Sequence, residues 1–420
     1  MDFKKLVRGN KYSFSTEEVI EGVFVNETEH FIYIKQSSGY NVGVSKSKVK
    51  NFKLLEEKKV SKEKKSKANK GEIVILHTGG TIASKVDYST GAVNSSFTPE
   101  EILELFPELK KIGSVESHLI SNMPSDDMNF GHYNVIGKKI NELVKRKDVK
   151  GVILTHGTDT LHYTSSALSF MLRNVTKPVV VVGSQRSSDR PSSDAAVNLL
   201  NSAYFVKNTE NKGVFVCMHE NTSDDFCLIY KGTNVRKNHT SRRDAFDSVN
   251  TTPVGRVNFE KKKLQEEKLE TIGEYEFKTF NEKLRVGLLK ARPGLTSEEL
   301  EVYKKFDGLV LEGTGLGHFP IGFNDKYTKD NEKILKTIKD IASKKVVVMT
   351  SQCINGRINM NVYTPGRILK EANVLGHNLD MQPETAYIKL AFLLSNYKKD
   401  EASKLYSTNL VGEINERSEK

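Results

Sequence analysis

Four hundred and twenty residues, 37% hydrophobic and 28% charged, leave room for two or three domains that each bury a core. No apolar run approaches the length of a membrane span, which excludes an integral helical membrane protein. Cys217, Cys227 and Cys353, with no CxxC spacing, exclude a disulfide framework and a cysteine zinc site and read as small core residues. The net charge of +11 is uneven: residues 1–70 hold 16 Lys and Arg against 9 Asp and Glu, a surplus of 7. Such an excess attracts nucleic acid or an acidic partner, or belongs to a solvated tether. Met1-Asp-Phe-Lys-Lys5 lacks the apolar stretch of a signal peptide, so a cytoplasmic protein is expected.

Residues 11–55 carry short alternating runs, among them Gly22-Val-Phe-Val-Asn26, Phe31-Ile-Tyr-Ile-Lys35 and, after a turn at Ser38-Gly39, Tyr40-Asn-Val-Gly-Val44. This spacing predicts a small antiparallel barrel over 1–55. EEKKVSKEKKSKANK then reads as a Lys-rich linker, placed at 56–71, helical or disordered. From 72 to about 220, strands alternate with helical patterns, the sequence form of a parallel sheet covered on both faces. Strands are expected at Glu72-Ile-Val-Ile-Leu76, Gly151-Val-Ile-Leu154, Lys177-Pro-Val-Val-Val-Val182 and Gly213-Val-Phe-Val-Cys217. A capping box with proline, Thr98-Pro-Glu-Glu101, opens one helix, and Asp194-Ala-Ala-Val-Asn-Leu-Leu200 forms another. Residues 232–284 are charged and weakly patterned and read as a passage to a second domain. There the alternation resumes with strands at Arg285-Val-Gly-Leu-Leu289, Gly308-Leu-Val-Leu311 and Lys345-Val-Val-Val-Met349, and helices near 327–342 and 383–396. The expected divisions are a larger α/β unit over 72–275, with the active site, and a smaller one over 285–420.

The chemistry concentrates at two strand ends. His77-Thr-Gly-Gly-Thr-Ile-Ala-Ser84 follows the first buried strand and delivers Thr81 to the carboxyl edge of the sheet, where ligands of open α/β sheets bind. Thr155-His-Gly-Thr-Asp-Thr160 does the same for Thr158 and Asp159. A threonine hydroxyl is a weak nucleophile until a base takes its proton, and a carboxylate with a lysine could supply that help. Alone, a Thr-Asp pair reads as a helix cap before Leu161. There is no Walker loop, no GxGxxG after the first strand, no HExxH and no GxSxG elbow. Gly313-Thr-Gly-Leu-Gly317 follows a strand and is a weak candidate for a phosphate cradle.

TGGTIA at 78–83, HGTDT at 156–160, GSQR at 183–186 and SDAAVNL at 193–199, in that order, resemble the L-asparaginase/glutaminase family over about 72–395. With the N-terminal unit and its SGYNVGV segment attached, the chain is similar to the branch of that family found in archaeal tRNA-dependent amidotransferases. The resemblance implies two parallel-sheet α/β domains of the asparaginase type preceded by a small all-β barrel domain. It implies that Thr81 is the first catalytic threonine, with Tyr88 its partner on the following loop, and that Thr158 and Asp159 are the second threonine and its acidic neighbour. The family lysine falls on Lys237, by its spacing to Phe246, with Lys231 and Arg236 close by. Ser125 corresponds to the residue that holds the substrate α-carboxylate. Asp126 stands where secreted asparaginases carry glutamine, and a carboxylate there suits the α-ammonium group instead. Gly80 and Gly157 flank the two threonines in the substrate-binding turns.

The implied activity is hydrolysis of glutamine through an acyl-threonine, supplying ammonia for conversion of Glu-tRNA(Gln) to Gln-tRNA(Gln) elsewhere. The implied partner is a larger tRNA-binding kinase and transamidase subunit in a hetero-oligomer, expected to be a tetramer, with a homodimer contact and with Glu-tRNA(Gln) reached through the complex. No metal or cofactor is expected in this chain, while ATP and Mg are expected in the partner. A free-standing cytoplasmic L-asparaginase carries the same motifs, and a nucleic-acid-binding protein with an inactive α/β body is the reading from another class. Which threonine attacks first is left open.

Overall fold

The computed structural model describes residues 3–7, 9–35, 41–57, 70–80, 84–87, 92–95, 105–188, 192–270 and 273–419. The turn at Ser38-Gly39, most of the Lys-rich linker and the capping box at 98–101 lie outside the described residues.

The N-terminal unit has five antiparallel strands, β1 (Lys11–Ser15), β2 (Val19–Glu27), β3 (Phe31–Lys35), β4 (Asn41–Ser45) and β5 (Asn51–Glu56), in the order β4-β3-β2-β1-β5. Alternation decides which side chains go inside: Tyr12, Phe14, Phe24, Ile32, Ile34 and Val44 form one core. Register shifts between Phe24 and Asn26 and between Lys11 and Tyr12 are bulges, which increase twist and let a short sheet wrap over its own side chains.

The second sheet has eight strands: β6 (Ile73–His77), β7 (Val115–Leu119), β8 (Gly151–Thr155), β9 (Pro178–Val182), β10 (Gly213–His219), β11 (Cys227–Lys231), β14 (Gly255–Asn258) and β15 (Lys263–Glu266). Between them in sequence, β12 (Val235–Lys237) and β13 (Phe246–Ser248) form a separate hairpin. The sheet order is β15-β14-β11-β10-β9-β8-β6-β7, parallel from β10 to β7 and antiparallel beyond. The weakly patterned stretch after 232 therefore contains two antiparallel strands of this sheet, the outer one at its edge, as well as the hairpin. β15 alternates exposed and half-buried residues, so it lacks the continuous apolar run of a central strand.

β6, β8 and β9 are buried along their whole length because helices cover both faces. Val74 and Leu76 pack toward α1 (Phe130–Val144) and α2 (Leu161–Met171), while Ile73 and Ile75 pack toward α3 (Ala195–Asn208). The third sheet is wholly parallel, in the order β16 (Val286–Lys290), β17 (Gly308–Gly313), β18 (Val346–Ser351), β19 (Val374–Leu375). One face packs on α4 (Asp330–Lys344). The other packs on α5 (Pro383–Asn396), whose Ala386, Ile388, Leu390 and Leu393 join Val310, Val346 and Val348 in the core that also contains α2. Phe170 of α2 stacks on Phe392 of α5 with ring centroids 5.8 Å apart. The two α/β units thus share one apolar core through a back-to-back helix pair. Among the described residues no helix is long and apolar enough to cross a membrane.

Candidate active site

β6 and β8 are hydrogen-bonded neighbours whose last residues, His77 and Thr155, stand opposite each other. From β6 the chain goes on to β7 on one side, and β8 lies on the other, so the crevice at their carboxyl ends is where the sheet order reverses. Thr78 is tied back across that crevice, its N–H and hydroxyl donating to Thr155 O at 3.2 and 2.8 Å. Gly79 and Gly80 then turn with φ of 102° and 78°, a region costly for a residue with a Cβ. A Cβ at Gly80 would also lie 2.5 Å from Gly157 N. The two expected glycines are therefore packed backbone to backbone. Thr81 follows immediately and, like Tyr88, lies outside the described residues. Between them Ser84–Asp87 pairs antiparallel with Ala92–Ser95.

Thr158 is buried, and its methyl group packs where any Cβ on Gly183 would come within 2.8 Å. Lys237, the last residue of β12, reaches it from the side. Its Nζ donates to Thr158 Oγ1 at 2.9 Å and to Asp159 Oδ1 at 2.7 Å. The lysine side chain is 9% exposed and Asp159 63% exposed. The ammonium thus bridges a buried hydroxyl and a carboxylate open to solvent. The two nearby basic residues point elsewhere: Lys231 sits in β11 opposite Phe215, and Arg236 pairs with Glu384 at 3.0 Å.

Ser125 is buried in the turn after β7. Its Oγ accepts from Thr160 N at 3.3 Å, and its carbonyl accepts from Thr160 Oγ1 at 2.7 Å. Thr160 therefore ties the loop of Ser125 to the loop of Thr158, a role with no separate mark in the sequence beyond a third hydroxyl in HGTDT. Gly157 lies under Ser125, with its Cβ position 2.9 Å from Ser125 Oγ. Asp126 is exposed beside it.

The layer beneath is held electrically neutral. Burial pushes His156 down to about 4 and His77 down to about 3, because desolvation disfavours the imidazolium. Both ring nitrogens of each are occupied: His156 by Gly157 O and Thr164 Oγ1, His77 by Thr155 Oγ1 and Ser117 Oγ. Asp194 organises the GSQR segment, accepting from Ser184 Oγ and from the N–H groups of Gln185 and Arg186. Among the described residues no cluster of three or more His, Cys, Asp or Glu could hold a metal. In the glycine-rich turn at 313–317, the N–H groups of Thr314, Gly317 and His318 are spent within the turn, which leaves a poor phosphate cradle.

This fold is that of the asparaginases. Residues 72–270 match the family described as Asparaginase, N-terminal, and 285–405 match the Glutaminase/Asparaginase C-terminal domain; the chain belongs to this family. The thermostable L-asparaginase from Thermococcus kodakarensis has a similar structure, with a TM-score of 0.72 and 32% identity, over 82% of this chain and 99% of its own. Two relatives extend the similarity to nearly the whole length. The chain is 43% identical to a glutamyl-tRNA(Gln) amidotransferase subunit from Methanococcus maripaludis strain C5, over 92% of this chain and 93% of that one. It is 40% identical to the Sulfolobus acidocaldarius protein of the same name over 99% and 92%. The all-β unit before residue 72 thus falls within the similarity to the amidotransferase proteins and before the asparaginase domains begin.

Proposed function

We propose that this chain is the glutaminase component of a cytoplasmic tRNA-dependent amidotransferase, releasing ammonia from glutamine for conversion of Glu-tRNA(Gln) to Gln-tRNA(Gln). The observation that carries the chemistry is the Lys237 ammonium held between Thr158 and Asp159. In this reading a threonine Oγ, that of Thr81 aided by Tyr88, attacks the side-chain carbonyl carbon of glutamine. The C–N bond breaks as a proton reaches the leaving nitrogen, giving ammonia and an acyl-threonine. Water then cleaves the ester, giving glutamate and the free hydroxyl. Lys237 passes protons between Thr158 and the solvent-open Asp159, so the buried hydroxyl can give up and regain a proton without an isolated charge. Ser125 and Asp126 hold the α-carboxylate and α-ammonium ends, and the turns at Gly80 and Gly157 aim backbone N–H groups at the oxyanion, a contribution on the order of 3 kcal/mol per donor. The names of two relatives aligned over almost the whole chain support the amidotransferase assignment over a free-standing asparaginase.

A larger subunit that binds tRNA and uses ATP and Mg is the partner, in a hetero-oligomer built around a dimer of this chain. We place the domain divisions at 1–55, 56–71, 72–275 and 285–420, a reading supported by family matches over 72–270 and 285–405. The test is co-purification from native extract, followed by turnover assays. Recovery of one larger ATP-using protein with glutamine tRNA, and ammonia release from glutamine, is the expected result. Recovery of this chain alone, hydrolysing asparagine faster than glutamine, gives the case to the asparaginase.

A further inference from the structure

Lys237 has to meet Thr158 and Asp159 at once, yet it sits at the end of β12, a strand of three residues that, among the described residues, pairs only with β13 in a two-stranded sheet. An isolated hairpin is marginally stable. Its far edge presents the carbonyls of Thr233 and Val235, both residues buried, and buried carbonyls need donors. Among the described residues no strand supplies them. They come from the N-terminal end of α5, in the smaller α/β unit: Gln382, the residue before the helix, donates from Nε2 to Val235 O at 2.7 Å, and Thr385 Oγ1 donates to Thr233 O at 2.7 Å. Between these, Glu384 takes the Arg236 guanidinium at 3.0 Å. Arg236 and Lys237 are successive residues of a strand, so their side chains leave on opposite faces. Glu384 grips one face while Thr158 and Asp159 receive the other. From α2, Ser166 Oγ lies 3.0 Å from Thr385 Oγ1; because the Thr385 proton goes to Thr233 O, Ser166 is the donor of that pair, which fixes Thr385 in turn.

We infer that Gln382, Glu384 and Thr385 are positioning residues for the relay, a clamp through which the smaller unit sets the approach of Lys237 to Thr158. The inference rests on the reading of Lys237 as part of the relay. The clamp holds the strand that carries the lysine and acts on Thr158 and Asp159 only through it, so loosening it leaves substrate binding intact and slows the chemical step. A displacement of the lysine by about 1 Å is enough to cost roughly a hundredfold when geometry limits the reaction.

The experiment is steady-state ammonia release from glutamine by the full chain, comparing wild type with Thr385→Val, Thr385→Ser, Glu384→Ala and Lys237→Met. Leu390→Val, in the same helix and wholly buried but away from the clamp, is the control for lost stability. Thr385→Val is isosteric and removes one donor. It is expected to lower kcat roughly tenfold or more with KM changed by less than about twofold, and serine, which keeps the hydroxyl, restores most of the loss. Glu384→Ala lowers kcat in the same way, whereas Leu390→Val lowers Tm and leaves kcat alone. If Glu384→Ala does not fold, the Thr385 pair decides the matter unaided. The clamp is overturned if Thr385→Val keeps kcat while Lys237→Met loses it, or if serine fails to rescue. A Lys237→Met protein with ordinary turnover instead sinks the relay itself.

Discussion

Lys237 Nζ lies 2.9 Å from Thr158 Oγ1, although 79 residues separate the two in sequence. Lys237 is brought there by a hairpin that is not part of the main sheet, and Thr158 by the end of a central parallel strand, so the contact is a product of the tertiary fold. If it serves proton transfer, removing either end should stop the chemistry without unfolding the protein. Lys237→Met and Thr158→Val are each expected to lower glutaminase kcat by about three orders of magnitude or more, and the double variant to lose little beyond either single one, as for residues that act as a unit. Purified variants with unchanged circular dichroism and near-normal turnover would refute the relay.

The three buried histidines around the crevice make stability depend on pH. Burial holds His77, His156 and His162 at about 3, 4 and 3 in the folded protein, below the ordinary value of about 6.5 in the unfolded chain. Between those values the unfolded state binds protons that the folded state does not. Stability is therefore full above about pH 6.5 and falls as the pH drops toward 4. Urea midpoints measured from pH 8 to pH 4 should fall in this direction, and the dependence should flatten in His156→Gln. A midpoint that stayed constant down to pH 4.5 would mean that the histidines titrate alike in both states.

The close approach of Gly80 to Gly157 predicts an ordered pair of effects. Gly80→Ala has to place a methyl at φ 78° and within 2.5 Å of a backbone nitrogen. The left-handed conformation alone costs about 1–2 kcal/mol, and the contact cannot relax unless the turn after β8 retreats. Gly157→Ala meets instead Cβ and Oγ of Ser125, both at 2.9 Å, so the Ser125 turn has to shift, but without the added cost of a left-handed backbone. Thermal denaturation should therefore rank Gly80→Ala as the more destabilised. The Gly157 variant should show its defect as a raised KM, because it displaces the residue proposed to hold the α-carboxylate. Equal losses of stability would contradict the packing described.

Much of this architecture is legible in the chain because burial on both faces compels a recognisable composition. Ile73-Val-Ile-Leu76 and Pro178-Val-Val-Val-Val182 can be little other than central strands, and their polar ends mark the carboxyl edge. The alternation around Phe14, Phe24 and Ile34 likewise announces a small antiparallel unit. The antiparallel strands β14 and β15, the latter at the sheet edge, escape notice because their solvent side carries Arg256, Lys263 and Gln265, and charge masks the period. Lys237 is identifiable only through family resemblance, since with Lys231 and Arg236 close by it carries no local mark. The ties from Thr160 to Ser125 and from Glu384 to Arg236 are long-range contacts between ordinary polar residues, and composition does not announce such partners.

The C-terminal segment is pinned by an interaction that should be unusually sensitive to loss of one partner. Lys389 and Glu413 have no exposed side-chain surface and pair at 2.5 Å. Burial pulls the lysine down, and the glutamate beside it opposes that pull. Glu413 also accepts the N–H groups of Leu410 and Val411, and Lys389 donates to Thr408 O, so the pair closes the turn after the last helix, Lys399–Tyr406. Replacing a buried ion pair with apolar groups is often tolerated, whereas removing one member leaves an uncompensated charge and costs about 3–5 kcal/mol. Glu413→Gln keeps the shape but removes the charge and turns one of two accepting oxygens into a donor facing a backbone N–H, and it should lower the unfolding free energy by an amount in that range. Lys389→Met combined with Glu413→Gln should recover a large part of it, since no charge is then stranded. Because the pair lies outside the crevice, glutaminase kcat in the folded fraction should stay at the wild-type value in both proteins. A single variant as stable as wild type would show that water or a rearranged segment compensates the lysine.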